Sequence, residues 1–372
     1  MIFNFSDRPS MKSPTRDVWV LGSVLVGSRI LLTGIGSLVR LKHWPFDFAW
    51  SLPGPLSSHV WLNTWAVWDG GWYNKIATTW YSAADPKRLA FFPLYPGLVR
   101  MVSFLTGHQF IVGLLISNFA LACACWLLYQ YAGRGSVGRW TILSSLAFPS
   151  AFVFSGMFSE SIYLLLAVSI FLLARKGNWA AVGALGLLLS LARPVGFLII
   201  IPAFIEYLEQ RSWRFRRLDV SMLWLVLIPL GLPLWAWYNF HLTGDSLAFV
   251  HVQAQWARHA TNPVSAIWTG LRANNFYDQA LALFSLAMAG ILLLVNKFLR
   301  CSERVWAWVS LLVPLCTGIY SMPRYALVIF PAYLGFARTP LNRGWKVAVL
   351  IVLGLIQLGL FIYWPDSQSW VV

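Results

Sequence analysis

The chain is expected to be an all-α, polytopic integral membrane protein with about eleven transmembrane helices, and three observations lead to that expectation. First, 58% of its 372 residues are hydrophobic and 11% are charged, against about 45–50% and about 25% in an ordinary soluble domain. With 22 Trp, 25 Phe and 13 Tyr, so much apolar surface needs an apolar solvent. Second, stretches without Asp, Glu, Lys or Arg recur at 101–133, 220–244, 279–296, 305–323 and 347–365, each holding at least one helix of about 20 apolar residues. Third, seventeen of the 28 bases fall in six short segments, the usual pattern of cytoplasmic loops. These features exclude a soluble globular enzyme and a disordered chain. The four cysteines, Cys123, Cys125, Cys301 and Cys316, do not form a disulfide framework. A formal net charge of +15 would point to nucleic acid in a soluble protein; in a membrane protein it reflects loop bias, and no nucleic-acid partner is expected.

The basic segments are Arg8, Lys12 and Arg16; Arg134 and Arg139; Arg175 and Lys176; Arg211, Arg214, Arg216 and Arg217; Lys297, Arg300 and Arg304; Arg338, Arg343 and Lys346. Placing them inside, with a cytoplasmic N-terminus, gives spans at 18–39, 109–131, 140–157, 160–174, 178–191, 195–208, 220–241, 279–297, 304–320, 324–337 and 346–364. The first reads as a retained helix, since it carries Arg29 and lacks a small-residue cleavage site. The run 140–174 is too long for one crossing at 1.5 Å per residue and is broken by Pro149, Gly156 and Ser159-Glu160-Ser161. The run 179–207 is broken at Arg193-Pro194, because proline disfavours helix in the residue before it. One domain, 1–372, is expected.

Two outward segments, 40–108 and 242–278, are too long for turns, and long loops often carry function. In the first, Trp61, Trp65, Trp68 and Trp72 are spaced four, three and four apart, which predicts one helical face of indoles. That face suits either the headgroup layer or packing against other helices. Phe91–Gly107 is placed flat at the outer surface, because counting it as a span would reverse every later basic loop.

Ionisable groups at a membrane are costly and mark function by default. Asp7, Asp17, Glu206, Glu209, Asp219 and Glu303 lie among the bases as solvated partners, leaving Asp47, Asp69, Asp85, Glu160, Asp245, Asp278 and Asp366 outside. Asp69 stands in Val67-Trp68-Asp69-Gly70-Gly71-Trp72-Tyr73, between indoles and before two glycines that permit close approach of a ligand. It reads as a general base, with helix capping as the alternative. Arg193 and Arg324 each open a helix after a turn; their guanidiniums suit phosphate oxygens or snorkel to lipid. Glu160 either caps the following helix or orients a sugar hydroxyl. His43, His59, His108, His241, His251 and His259 lack metal-ligand spacing, so no metal site is expected.

At these residues the chain resembles a known family. Trp68-Asp69-Gly70-Gly71-Trp72-Tyr73-Asn74-Lys75-Ile76-Ala77 and Phe91-Phe92-Pro93-Leu94-Tyr95-Pro96 are similar to the PIG-V type mannosyltransferases, the GPI mannosyltransferase II family and its prokaryotic relatives. The likeness continues through Phe158-Ser159-Glu160-Ser161, Ala192-Arg193-Pro194-Val195-Gly196, Gly244-Asp245 with Gln255-Trp256, Arg324-Tyr325 and Phe330-Pro331. It implies the GT-C superfamily of multispanning glycosyltransferases, which take sugar from a polyprenyl- or dolichyl-phosphate carrier and use an acid in the first outward loop. Asp69 matches that acid by placement. The chain departs from eukaryotic members after the Asp and at Pro194-Val195-Gly196, so the acceptor does not carry over.

The expected activity is inverting transfer of a sugar, mannose by the resemblance, from the lipid phosphate to a glycan, glycolipid or protein acceptor on the external face of the plasma membrane. Asp69 is the expected base. Arg193 or Arg324 would compensate the phosphate, with Lys75 or Arg100 as helpers, and no cofactor is needed. Trp68, Trp72, Tyr73, Glu160, Asp245 and Tyr325 complete the expected substrate contacts. The rival readings are a lipid-linked sugar transporter, disfavoured because the acids cluster on one side without paired broken helices, and a non-catalytic subunit of a glycosyltransferase.

Overall fold

The computed structural model describes residues 14–42, 56–256 and 258–365. Asp7, Arg8, Lys12, His43, Asp47 and Asp366 lie outside them. The described residues are helical and contain no strand. In chain order the α-helices are α1 (Pro14–Lys42), α2 (Val60–Asn63), α3 (Asp69–Thr79), α4 (Leu94–Ser103), α5 (Gln109–Tyr131), α6 (Gly135–Ala147), α7 (Glu160–Arg175), α8 (Trp179–Ala192), α9 (Ile200–Gln210), α10 (Gly231–Thr243), α11 (Ala248–His251), α12 (Pro263–Leu271), α13 (Phe276–Val295), α14 (Cys301–Leu315), α15 (Met322–Leu327), α16 (Phe330–Arg338) and α17 (Arg343–Tyr363).

Five helical stretches are long and apolar enough to cross a membrane: Arg16–Lys42, Gln109–Tyr131, Val220–Thr243, Phe276–Phe298 and Arg343–Tyr363. The chain is therefore membrane-embedded. Several expected spans are shorter or broken. The span 140–157 ends as α-helix at Ala147, before Pro149, and continues as a 3-10 turn at Ala151–Ser155. The span 324–337 is two short helices separated at Val328-Ile329, where Pro331 cannot donate to the ladder. The span 195–208 starts as a 3-10 turn, Pro194–Ile199, before α9.

The tryptophan stripe is also corrected. The α2 helix ends at Asn63 and α3 starts at Asp69, with Trp68 at φ 53° between them, so the four indoles do not share one helix. Trp65 is buried, its ring 5.5 Å from Phe361, while Trp61 is exposed. Phe91–Gly107 contains only the ten-residue α4, about 15 Å long, with Met101, Phe104 and Leu105 exposed at and beyond its end.

Ion pairs gather the described basic segments at one end of the bundle. Asp17 on α1 accepts from Tyr129 at 2.6 Å and Arg139 at 2.8 Å. Glu303 on α14 accepts from Tyr131, Arg175 and Arg338 at 2.6–2.8 Å, joining α5, α7, α14 and α16. Glu206 on α9 accepts from Ser302 at 2.8 Å. Glu303 and Glu206, expected as solvated partners, are buried: Glu303 neutralises Arg175 and Arg338 where four helices meet and is shielded by the helices it ties, and Glu206 lies between Ser302 and Arg300.

Candidate active site

The other end holds a second buried network, built from the starts of α3, α7 and α15 and the end of α8. Glu160 is the first residue of α7 and has no exposed surface. Its Oε1 accepts from Arg324 Nε at 2.8 Å and from Arg193 Nη2. Arg324 Nη1 reaches onward to Asp69 Oδ2 at 2.6 Å. Arg193 Nε donates to Ser159 Oγ at 3.1 Å, and Tyr73 donates to the same oxygen at 3.0 Å. The Arg324 guanidinium lies over the Phe158 ring, 4.9 Å from its centre. Phe158-Ser159-Glu160 thus serves both arginines, which explains why an aromatic, a hydroxyl and a carboxylate stand in that order. Glu160 is a hub for two cations, which corrects its expected roles as a cap or a sugar contact.

Local structure places each of these groups. Trp68 has φ 53°, an unfavourable region for a bulky side chain, and this turn launches α3 with Asp69 as its first residue. Asp69 is not the cap of that helix; its carboxylate is spent on Arg324. Arg193 closes α8 ahead of Pro194. The following Gly196 is tight against α8: a Cβ there would lie 2.1 Å from the Leu189 carbonyl oxygen. Ser321, in the left-handed region at φ 60°, turns the chain into α15 and brings Arg324 to Glu160.

A cavity of about 410 Å³ opens over this network. Asp69, Tyr73, Arg193, Arg324 and Tyr325 line it, together with Arg258. Trp68, Trp72, Lys75, Arg100, Glu160 and Asp245 are not in its wall. Trp72 packs behind it, stacked on Phe91 with ring centres 5.8 Å apart, and Trp256 meets both edge-on at 6.0 Å. Those aromatic contacts bring the two long segments, 40–108 and 242–278, together over the cavity.

Three expected contacts are corrected. Lys75 points to Asp85 at 2.8 Å; burial opposes ionisation of Asp85, yet hydrogen bonds from Lys75 and Arg88 hold its carboxyl below the usual range. Arg100 donates to the carbonyls of Ala77 and Thr78 at 3.1 and 2.9 Å, which fixes the end of α3. Asp245 pairs with His251 at 2.7 Å. In each case the side chain has a nearer hydrogen-bond partner.

Arg258 is the residue that sequence reasoning missed. It donates to the Tyr325 hydroxyl and lies over that ring, 5.2 Å from its centre, and among the described residues it has no carboxylate partner. Arg193 and Arg324 are neutralised by Glu160 and Asp69, two charges against two, so Arg258 gives the cavity its uncompensated positive charge. Glu160 Oε2 and Arg193 Nη1 are buried without a hydrogen-bond partner among the described residues. Among those residues no group of three or more His, Cys, Asp or Glu could hold a metal ion.

No family model matches this sequence, and no curated protein matches it. Solved structures do match. ArnT from Cupriavidus metallidurans, bound to undecaprenyl phosphate, is similar at 15% identity and TM-score 0.57, over 91% of this chain and 64% of ArnT. The archaeal oligosaccharyltransferase AglB from Archaeoglobus fulgidus, in complex with an inhibitory peptide and a dolichol-phosphate, matches at 14% identity and TM-score 0.43, over 96% of this chain and 56% of AglB. ArnT carries the assignment of fold: the helical bundle of this chain is similar to that of ArnT. The chain spans 64% of the length of ArnT.

Proposed function

We propose that this chain is a glycosyltransferase that moves a sugar from a polyprenyl-phosphate carrier to an acceptor hydroxyl, inverting the anomeric configuration in one displacement. One observation carries the reading: Asp69, two neutralised arginines and one free arginine converge on a single cavity in a bundle with the fold of ArnT, which was solved with undecaprenyl phosphate. Asp69 is the base. Arg324 holds its Oδ2, so Oδ1, which carries no hydrogen bond among the described residues, takes the proton of the acceptor as it attacks the anomeric carbon.

The leaving phosphate gains negative charge in a water-poor site and needs a fixed cation. Arg258 has that role, in place of Arg193 and Arg324, whose charges the acids already balance. The donor and acceptor enter on the cavity side, which we read as the external face of the plasma membrane, with the basic end and N-terminus cytoplasmic. The resemblance to PIG-V type enzymes favours mannose and leaves the acceptor open among glycans, glycolipids and proteins.

The test is to reconstitute the purified chain in vesicles with polyprenyl-phosphate mannose and a panel of acceptors, and to determine the anomeric configuration of the product. The reading expects an inverted glycoside. Retained configuration, or movement of the lipid-linked sugar across the vesicle without any product, would contradict it.

A further inference from the structure

A cationic and aromatic loop joins α9 to the apolar stretch Val220–Thr243 and takes no part in the cavity. It reads Arg211-Ser212-Trp213-Arg214-Phe215-Arg216-Arg217. The loop lies at the basic end of the bundle, since Glu206 and Glu209, just before it on α9, face Arg300 at 3.5 and 3.8 Å. Arg211 holds it in place: its guanidinium stacks on the Tyr207 ring, 3.6 Å from the centre, and donates to the Arg217 carbonyl at 3.0 Å and to Asp219. Ser212 and Trp213 stand in the left-handed region at φ 54° and 57°, and their amides close the end of α9 on the carbonyls of Glu209 and Leu208 at 3.0 and 2.9 Å. Such a turn is costly for a bulky residue.

The rest of the loop is left open. Trp213 is 52% and Phe215 68% exposed. Arg214, Arg216 and Arg217 are exposed and have no ion pair among the described residues. Asp219, the acid nearest in sequence, is taken by Arg211, so three positive charges stay unbalanced. Apolar surface begins on either side: Ile201 and Phe204 are exposed on α9, and Val220, Leu223 and Trp224 directly after the loop. Both ends are therefore held where hydrocarbon begins. The residues 211–219 between them, running out and back, reach about 15 Å at most, so the arginines cannot leave the headgroup layer.

We propose that the 211–217 loop is a docking surface for anionic phospholipid in the leaflet at the basic end. Arg214, Arg216 and Arg217 take headgroup phosphates, while Trp213 and Phe215 seat among the headgroups, where an aromatic ring can keep its body in an apolar layer. The occupant follows from charge and tether together. Three unbalanced cations call for net negative charge, which a zwitterionic phospholipid does not supply, and the loop is too short to meet a partner away from the bilayer.

Titrating the full chain, monodisperse in a neutral detergent, with fluorescent phosphatidylglycerol tests it. A class of tight binding should appear that a fluorescent phosphatidylcholine does not show. The triple variant Arg214→Gln, Arg216→Gln and Arg217→Gln should weaken that class about a hundredfold, at about a factor of five for each basic group beside an anionic surface, and flatten its dependence on salt. Arg214→Lys, Arg216→Lys and Arg217→Lys together should keep most of the binding. Trp213→Ser with Phe215→Ser should weaken it about tenfold at every salt concentration, because the rings contribute apolar area and no charge. The control variant Lys176→Gln, Lys297→Gln and Arg343→Gln removes three exposed bases elsewhere and should leave binding unchanged. Binding unchanged in the first variant, or weakened equally in the control, would overturn the loop as the lipid's site. An acidic peptide bound more tightly than phosphatidylglycerol through the same arginines would put a protein partner in place of the lipid.

Discussion

Replacing Glu160 by Gln removes the one carboxylate that touches both Arg193 and Arg324 while keeping its shape. The native network has two carboxylates, Asp69 and Glu160, against two guanidiniums; the variant has one against two, inside a site where Glu160 has no exposed surface and each arginine is more than nine-tenths buried. Leaving a buried charge uncompensated costs about 3–5 kcal/mol. At about 1.4 kcal/mol per factor of ten, the folded state should lose two to four orders of magnitude against the unfolded. The assay is the half-life of monodisperse protein in detergent at a fixed elevated temperature. The double variant Glu160→Gln with Arg193→Met restores charge balance with an apolar side chain of similar length, so it should recover most of the lost half-life. A single variant as durable as the native chain, or two effects that simply add, would refute the coupling.

Four further outcomes follow from the same structure. Glu303→Gln, at the opposite end, should destabilise by about 3–5 kcal/mol with no change in KM for the donor, measured on the surviving folded fraction. Gly196→Ala drives a Cβ into the Leu189 carbonyl, and overpacking costs about 1–3 kcal/mol; it should also lower transfer, because the turn carries Arg193. Arg258→Ala should lower kcat/KM for the phosphate-linked donor about ten- to a hundredfold, the value of a charged hydrogen bond of about 1.5–3 kcal/mol, and equal kcat/KM in the two enzymes counts against the phosphate role. Asp85, held below its ordinary value by Lys75 and Arg88, contributes stability above the usual carboxylate pKa that is lost as pH falls through the lowered one. Limited proteolysis between α3 and α4 should therefore be flat from neutral pH down to about pH 5 and rise only in stronger acid, and Asp85→Asn should remove that rise.

Much of the site was legible because charge is rare in this sequence. An acid or arginine inside an apolar run is costly enough to need a partner, and Asp69, Glu160, Arg193 and Arg324 prove to be one another's partners. Their pairing was not legible, since it depends on how α3, α7, α8 and α15 converge from four distant stretches. The same lack of spatial information misplaced Lys75, Arg100 and Asp245, whose nearer partners Asp85, the carbonyls of α3 and His251 lie outside the cavity. Arg258 went unnoticed because Arg258-His259-Ala260 follows no helical period and matches no motif. The indole stripe failed for a physical reason: spacing alone assumes an unbroken helix, and the turn at Trp68 breaks it. Counting bases picked out segments that ion pairs draw together, yet it hid Glu206 and Glu303, whose burial follows from contacts among α5, α7, α9, α14 and α16.

The central claim is that the Asp69 carboxylate removes the acceptor's proton. The measurement is the single-turnover rate of Asp69→Asn with saturating lipid-linked donor and a confirmed acceptor, compared with native protein of equal folded fraction. Asn keeps the volume and a contact to Arg324 but lacks the base, so the rate should fall by about two to four orders of magnitude while donor binding persists. A rate within a few-fold of the native one would remove Asp69 from the chemistry.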